Sequence, residues 1–184
     1  MREIALITTG GTIEKTYDEQ TGELLNRRSI VRRMLSELHL EETAVRVVEL
    51  MSKDSLEMTD ADRRSILEAV RANGGDRDVD RGEAAGDGKA DGNAAGIVVL
   101  HGTDTLERTG ELLAAEIGRP RVAIVLTGAL RPFEMRQSDA LQNLTEAIFA
   151  AGLLPPGIYC VAHGRAMPFP GVRKDRDRGT FVHL

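Results

Sequence analysis

The 184-residue sequence contains one cysteine, Cys160, so no disulfide can form within the chain. Its setting in the apolar run Gly157-Ile158-Tyr159-Cys160-Val161-Ala162 reads as core. Basic charge is not in excess: 24 Lys and Arg against 29 Asp and Glu leave a formal net charge of -5, which supplies no footprint for a nucleic acid. The one arginine-rich run, Arg173 to Arg178, is interleaved with aspartates. No apolar run approaches membrane-spanning length, and the N-terminus enters a strand without a basic region or a small-residue cleavage site. A soluble, cytoplasmic chain is expected. Several catalytic signatures are also missing. The first glycine-rich turn has neither the third glycine of a dinucleotide fingerprint nor the Gly-Lys-Ser/Thr of a P-loop. No Gly-x-Ser-x-Gly occurs, and His39, His101, His163 and His183 are scattered without metal-ligand spacing. A histidine-based triad, a metal site and a bound cofactor are therefore not expected.

The length suits one α/β domain and is too short for two ordinary ones. Five apolar runs punctuate it: Glu3 to Ile7, Val45 to Leu50, Ile97 to Leu100, Val122 to Leu126 and Ile158 to Val161. Between them lie stretches with helical periodicity. Ser29 can cap a helix carrying Ile30, Val31, Met34, Leu35 and Leu38. Thr59 and Asp62 form a capping box ahead of Ile66, Leu67 and Val70, with Asp in place of the usual Glu or Gln. Leu106, Leu112, Leu113 and Ile117 mark a third helix, and Ser138 can cap a fourth that carries Leu141, Leu144 and Ile148 and stops at Gly152. Strands alternating with amphipathic helices predict a single-domain α/β fold. Its sheet is parallel and doubly wound, flavodoxin/Rossmann-like, with helices on both faces and right-handed crossovers. Glu14 to Arg28 shows no periodicity and reads as a mobile loop. Asn73 to Ala95 is Gly-, Ala-, Asp- and Arg-rich and is expected to be a disordered surface insertion, its aspartates lacking EF-hand spacing.

In such a sheet function collects at the carboxyl ends of the strands. Three hydroxyl-bearing loops fall there, at Thr12, Ser55 and Thr103. Gly10 and Gly11 bring backbone N–H groups beside Thr12, an arrangement that suits attack on a carbonyl but also an ordinary strand-to-helix turn or a phosphate cradle. A threonine hydroxyl needs a proton acceptor. With histidine excluded, Tyr, Lys and Asp remain, and Lys174 is the base if it is buried. On composition alone Lys174 is a solvated surface lysine.

Thr9-Gly10-Gly11-Thr12-Ile13, His101-Gly102-Thr103-Asp104-Thr105 and Thr127-Gly128-Ala129-Leu130-Arg131-Pro132 resemble, in order, the signature segments of the bacterial-type L-asparaginase family, whose nucleophile is threonine. The resemblance spans nearly the whole chain apart from Asn73 to Ala95. It implies an L-asparagine amidohydrolase with Thr12 as nucleophile and Tyr17 as the lid tyrosine. Thr103, Asp104 and Lys174 would form a second polar triad, backbone amides near Gly11 and Thr103 would bind the oxyanion, and Ser55 and Asp104 would bind the substrate carboxylate and amine. It also implies a homo-oligomer, dimer or tetramer, and a form that ends near Leu184 without the family's smaller C-terminal domain. Two positions depart from the family pattern. Leu56 stands next to Ser55 where a polar residue, often glutamine, is usual. A glutamate supplied by a neighbour's C-terminal domain has no counterpart, leaving Glu14, Glu19 or Glu57 as substitutes. Weaker substrate binding is the expected consequence. The alternatives are an amidase for another small carboxamide such as glutamine, a non-catalytic module that binds asparagine or aspartate, and, more remotely, a nucleotide-binding domain.

Overall fold

The computed structural model describes residues 1–76 and 94–184. In chain order its elements are β1 (Arg2–Gly10), β2 (Thr16–Asp18), β3 (Glu23–Leu25), α1 (Val31–Ser36), β4 (Thr43–Lys53), α2 (Asp60–Ala72), β5 (Gly96–Leu100), α3 (Leu106–Glu116), β6 (Ala123–Thr127), α4 (Ala140–Ala151), β7 (Gly157–Ala162), β8 (Arg165–Pro168), β9 (Val172–Asp175) and β10 (Thr180–His183). The main sheet has the order β4-β1-β5-β6-β7-β8, parallel except for the antiparallel edge strand β8. Its five parallel strands thus follow the flavodoxin-like order 2-1-3-4-5, whose switch point lies between β1 and β5.

Alternation along the strands builds two cores. Ala5, Ile7, Ile97 and Val99 face Ile66, Leu67 and Val70 of α2 and Leu106 and Leu113 of α3 on one side. Ile4, Leu6, Val98 and Leu100 face Val31 and Met34 of α1 and Leu144 and Ile148 of α4 on the other. Both faces of the central strands are closed to solvent, which is why these strands read as continuous apolar runs rather than as an alternating pattern. Each fully buried Ile or Leu contributes about 1.5–3 kcal/mol. The expected doubly wound α/β architecture is present, and the Thr59/Asp62 capping box opens α2 with both reciprocal bonds formed.

Several expectations are corrected. At α1 the cap position is Ile30, with Ser29 Oγ accepting from the Val31 amide at 3.3 Å while its hydroxyl donates to Glu14. At α4 the cap is Asp139, with Ser138 accepting from the Ala140 amide at 3.0 Å. The stretch read as a loop from Glu14 to Arg28 holds the β2–β3 hairpin, organised by the buried Asp18. Its carboxylate accepts from Gln20 N at 3.0 Å, from the Thr21 hydroxyl at 3.1 Å and from Arg27. Three-residue strands are too short for a period to register. The predicted insertion is too wide at both ends. Asn73 accepts from Arg46 Nη1 at 2.7 Å, Asp76 bridges to Pro120, and the Ala95 amide donates to Glu3 O at 2.8 Å. The rest of that expectation lies outside the described residues. Beyond β7 the chain adds strands that the five apolar runs did not show. His163 and Gly164, both at positive φ as a type I′ turn requires, fold β8 back on β7, and β9 and β10 form a hairpin beyond it.

Candidate active site

Glycines let the strand-end loops touch. Gly10 and Gly11 take φ of 94° and 80°, so β1 leaves the sheet by a path L side chains rarely follow. A Cβ on Gly10 would lie 2.5 Å from the Lys53 amide nitrogen at the end of β4, and one on Gly11 would fall on the Gly102 backbone after β5. Gly102 in turn admits Ser55, whose Cβ would be 2.6 Å from a Cβ placed there. A Cβ on Gly128, after β6, would fall on the His101 carbonyl and reach within 3.2 Å of Thr103 Cγ2. Four loops therefore meet at the switch point, and Thr12, Ser55 and Thr103 each sit next to one of these contacts.

Lys174 completes the group. Its Nζ donates to Thr103 Oγ1 at 2.8 Å and to Asp104 Oδ1 at 3.0 Å across about seventy residues of sequence. Its side chain is only 12% exposed, against the expectation of a solvated lysine. Helix α3 seats it. Glu107 accepts from the Lys174 amide at 2.9 Å, and Glu111, one turn on, accepts from the Gly171 amide at 2.9 Å and Arg173 Nη1 at 3.0 Å. Arg176 adds an ion pair to Asp104 at 2.8 Å. Burial alone would raise the Asp104 pKa, but the hydrogen bond and charge of Lys174, with Arg176, outweigh it and hold the carboxyl below its ordinary value.

Inward of these groups lies a supporting network. Thr105 Oγ1 donates to Ser55 O at 2.8 Å and accepts from Arg63 Nη2 at 2.9 Å. Arg63 also donates to Met58 O and Thr59 O. His101 is fully buried, its Nδ1–H donating to Gly102 O at 2.8 Å and its Nε2 accepting from Thr109 Oγ1 at 2.8 Å, and burial pushes its pKa down to about 4. It holds the loop as a neutral imidazole. Lys15 pairs with Asp54 at 2.7 Å, tying the first loop to the Ser55 turn. The Thr127-to-Pro132 segment is fixed from below: Asp139 accepts from the Leu130 and Arg131 amides and pairs with His163 Nε2 at 2.9 Å, and Asn143 donates to Gly128 O.

The expected residues are placed unequally. Gly11, Thr12, Ser55, Thr103, Asp104 and Lys174 gather at the switch point. Thr12 is part-exposed, and its hydroxyl makes no hydrogen bond among the described residues. Gly11 cannot itself supply an oxyanion donor, because its amide donates to Lys53 O at 2.8 Å. The Thr12 and Thr103 amides make no hydrogen bond among the described residues and remain as donors. Tyr17 lies in the β2–β3 hairpin, 58% exposed, with its backbone amide on Glu134 and no hydrogen bond from its hydroxyl to Thr12. Leu56 is 68% exposed beside the buried Ser55. Of the three substitute glutamates, Glu14 is turned inward. It is 1% exposed, accepts from the Gly10 amide and Ser29, and burial raises its pKa. Glu57 instead lines an open cavity of about 310 Å³ with Lys15, Ser52 and Asp54. Sequence reasoning missed Arg63, Thr105, Glu107 and Glu111. A signal existed for Arg63, which shares the apolar stripe of Ile66, Leu67 and Val70 at helical spacing.

The order 2-1-3-4-5 and a cluster of two threonines, a lysine and an aspartate at its switch point define a flavodoxin-like α/β domain with a hydroxyl-and-lysine site. Comparison with known proteins bears out the fold and shows the family. A family profile described as asparaginase, N-terminal, matches residues 3–80 and 84–179, and the chain belongs to that family. It is 28% identical over 164 residues to one of the subunits of the glutamyl-tRNA(Gln) amidotransferase from Methanococcus vannielii, covering 89% of this chain and 35% of that protein. It is 45% identical over 64 residues to an L-asparaginase from Thermococcus kodakarensis, covering 35% of this chain and 20% of that protein. The solved thermostable L-asparaginase from Thermococcus kodakarensis superposes with a TM-score of 0.79 at 26% identity, covering 99% of this chain and 51% of that one. The chain thus spans about a third or less of the curated relatives it matches. Among the described residues no helix is long and apolar enough to cross a membrane.

Proposed function

We propose that the chain hydrolyses the side-chain amide of L-asparagine to L-aspartate and ammonia through a threonine acyl-enzyme. One observation carries the reading: part-buried Lys174 Nζ, from β9, lies 2.8 Å from Thr103 Oγ1 and 3.0 Å from Asp104 Oδ1, two residues of the loop that meets the Gly11–Thr12 turn. Thr12 Oγ attacks the amide carbon while its proton passes by relay through the Thr103 hydroxyl and the Lys174 ammonium to the Asp104 carboxylate, from which it returns to the departing nitrogen. The carbonyl oxygen takes the negative charge beside the Thr12 and Thr103 amides, a large term in acyl transfer. The C–N bond breaks as the nitrogen gains a proton and leaves as ammonia. Water, deprotonated by the same group, cleaves the ester and returns the proton to Thr12. Ser55 holds the substrate carboxylate and Asp104 its amine, with Tyr17 closing over Thr12 from its hairpin. Leu56 offers no polar contact, so KM is raised relative to relatives with a polar neighbour there. A cytoplasmic homo-oligomer built on this asparaginase N-terminal-type domain belongs to the same proposal.

A second reading is favoured by the match that covers 89% of the chain: the released ammonia serves an amidotransferase, and turnover of asparagine or glutamine depends on a partner. Ammonia release from L-asparagine and L-glutamine by the purified chain, beside Thr12→Ala and Thr103→Ala, separates them. Loss of general acid–base assistance in Thr103→Ala is expected to slow turnover about 10²–10⁴-fold. No ammonia from either substrate, with asparagine still raising the melting temperature, would refute autonomous hydrolysis.

A further inference from the structure

The cleft between the first turns of α2 and α3 has an unusual wall. Arg63, Arg64 and Arg108 line a cavity of about 340 Å³ together with Asp60 and Leu112. Three positive groups face one carboxylate, in a chain whose formal net charge is -5. Arg64 and Arg108 are exposed and make no ion pair or side-chain hydrogen bond among the described residues. Arg27, Arg33, Arg46, Arg71, Arg173 and Arg176 each pair with a carboxylate. Arg63 is held rigidly at 6% exposure by Met58 O, Thr59 O and Thr105 Oγ1. Burial and the charge of Arg108 both work against its guanidinium. All three arginines also sit in the first two turns of their helices, where the macrodipole is positive. Holding like charges on one wall costs free energy that an anion would recover.

We propose that this cavity binds a dianionic phosphoryl group, as inorganic phosphate or as the head of a small phosphomonoester. Guanidinium groups grip phosphate through paired N–H donors, and the excess of two positive charges matches a dianion, whereas a carboxylate would neutralise only one. Leu112 supplies an apolar side for the carbon portion of an ester. The cavity communicates with the sheet edge through the bridge from Arg63 to Thr105 to Ser55 O. Occupancy therefore modulates the Ser55 turn, a consequence that rests on the proposed role of Ser55; the binding itself does not.

The test is calorimetric titration of the full chain with inorganic phosphate, glycerol 3-phosphate and acetate at matched ionic strength. Saturable phosphate binding is expected, weakened roughly tenfold by Arg64→Gln or Arg108→Gln through loss of a charge-assisted contact. Asp60→Asn is expected to tighten it. Both arginine variants should keep the melting temperature of the unliganded protein, since neither side chain has a partner. Tighter binding of glycerol 3-phosphate identifies a phosphomonoester, and equal binding identifies free phosphate. Acetate binding as well as phosphate, phosphate affinity untouched by both arginine variants, or no saturable binding would each overturn the proposal. Phosphate binding by a protein that releases no ammonia would leave this site standing and remove the reading of autonomous hydrolysis instead.

Discussion

Three glycine-to-alanine substitutions separate the two demands that the site places on its loops. Gly22, in the β2–β3 turn, has φ of +73° but open space, its Cβ meeting only the Tyr17 hydroxyl at 3.9 Å. Gly102 has no positive φ, but its Cβ would lie 2.6 Å from Ser55 Cβ. Gly11 combines both, with φ of +80° and a Cβ on the Gly102 backbone. Left-handed backbone costs a non-glycine residue about 1–2 kcal/mol, offset by about 0.4–1 kcal/mol because alanine restricts the unfolded chain. Gly22→Ala should therefore destabilise by about 0–1.6 kcal/mol. Overpacking adds about 1–3 kcal/mol, so after the same offset Gly102→Ala should cost about 0–2.6 kcal/mol and Gly11→Ala about 1–4.6 kcal/mol. For a chain of this length each kcal/mol moves the melting temperature by about 2–4 °C. Urea and thermal unfolding followed by circular dichroism measure the three, with ammonia release in parallel. Gly22→Ala should keep activity, and Gly102→Ala and Gly11→Ala should lose it out of proportion to stability, because they move Ser55 and Thr12. A Gly11→Ala protein no less stable than Gly22→Ala would refute the close approach of the loops after β1 and β5.

Protonation of His101 should set an acid limit on stability. Its folded pKa, pushed down to about 4 by burial, lies below the ordinary 6.5, so the unfolded chain binds the proton first. The stabilisation is complete above pH 6.5 and is lost as pH falls toward 4, on the order of 3 kcal/mol. Urea unfolding across that window should show the slope, and its persistence in His101→Gln would refute the assignment. Thr105→Val removes the bridge between Arg63 and Ser55 and should cost about 1–3 kcal/mol. If the bridge positions Ser55, KM for asparagine rises more than kcat falls; equal effects on both would count against it. The Cys160 thiol, buried and raised to about 12, should resist alkylation in the native protein and react only on unfolding. Reaction at the rate of a free thiol without denaturant would contradict its burial.

Local rules settled much of this protein. Apolar runs bounded by glycine and polar turns, and helices with one buried stripe, are consequences of burial on two faces of a parallel sheet, so the five parallel strands and four helices were legible as elements, although β1 and β4 run several residues beyond their apolar runs. The Thr59/Asp62 capping box was equally local. So was the gathering of Thr12, Ser55 and Thr103, because right-handed crossovers force successive parallel strands to end at one edge. Lys174 shows where that logic stops. Its neighbours Arg173, Asp175 and Arg176 make it look solvated, and nothing within helical or strand reach predicts burial. It is placed by Glu107 and Glu111 of α3, contacts across sixty residues or more, and by the local pairing of β9 with β10. The sense of Glu14 was also undecidable in sequence, since a carboxylate in a polar loop turns inward only where Ser29 and the Gly10 amide receive it. Periodicity reports which side of an element is buried. Which distant groups satisfy a buried charge depends on how the elements are stacked, and that only the tertiary structure decided.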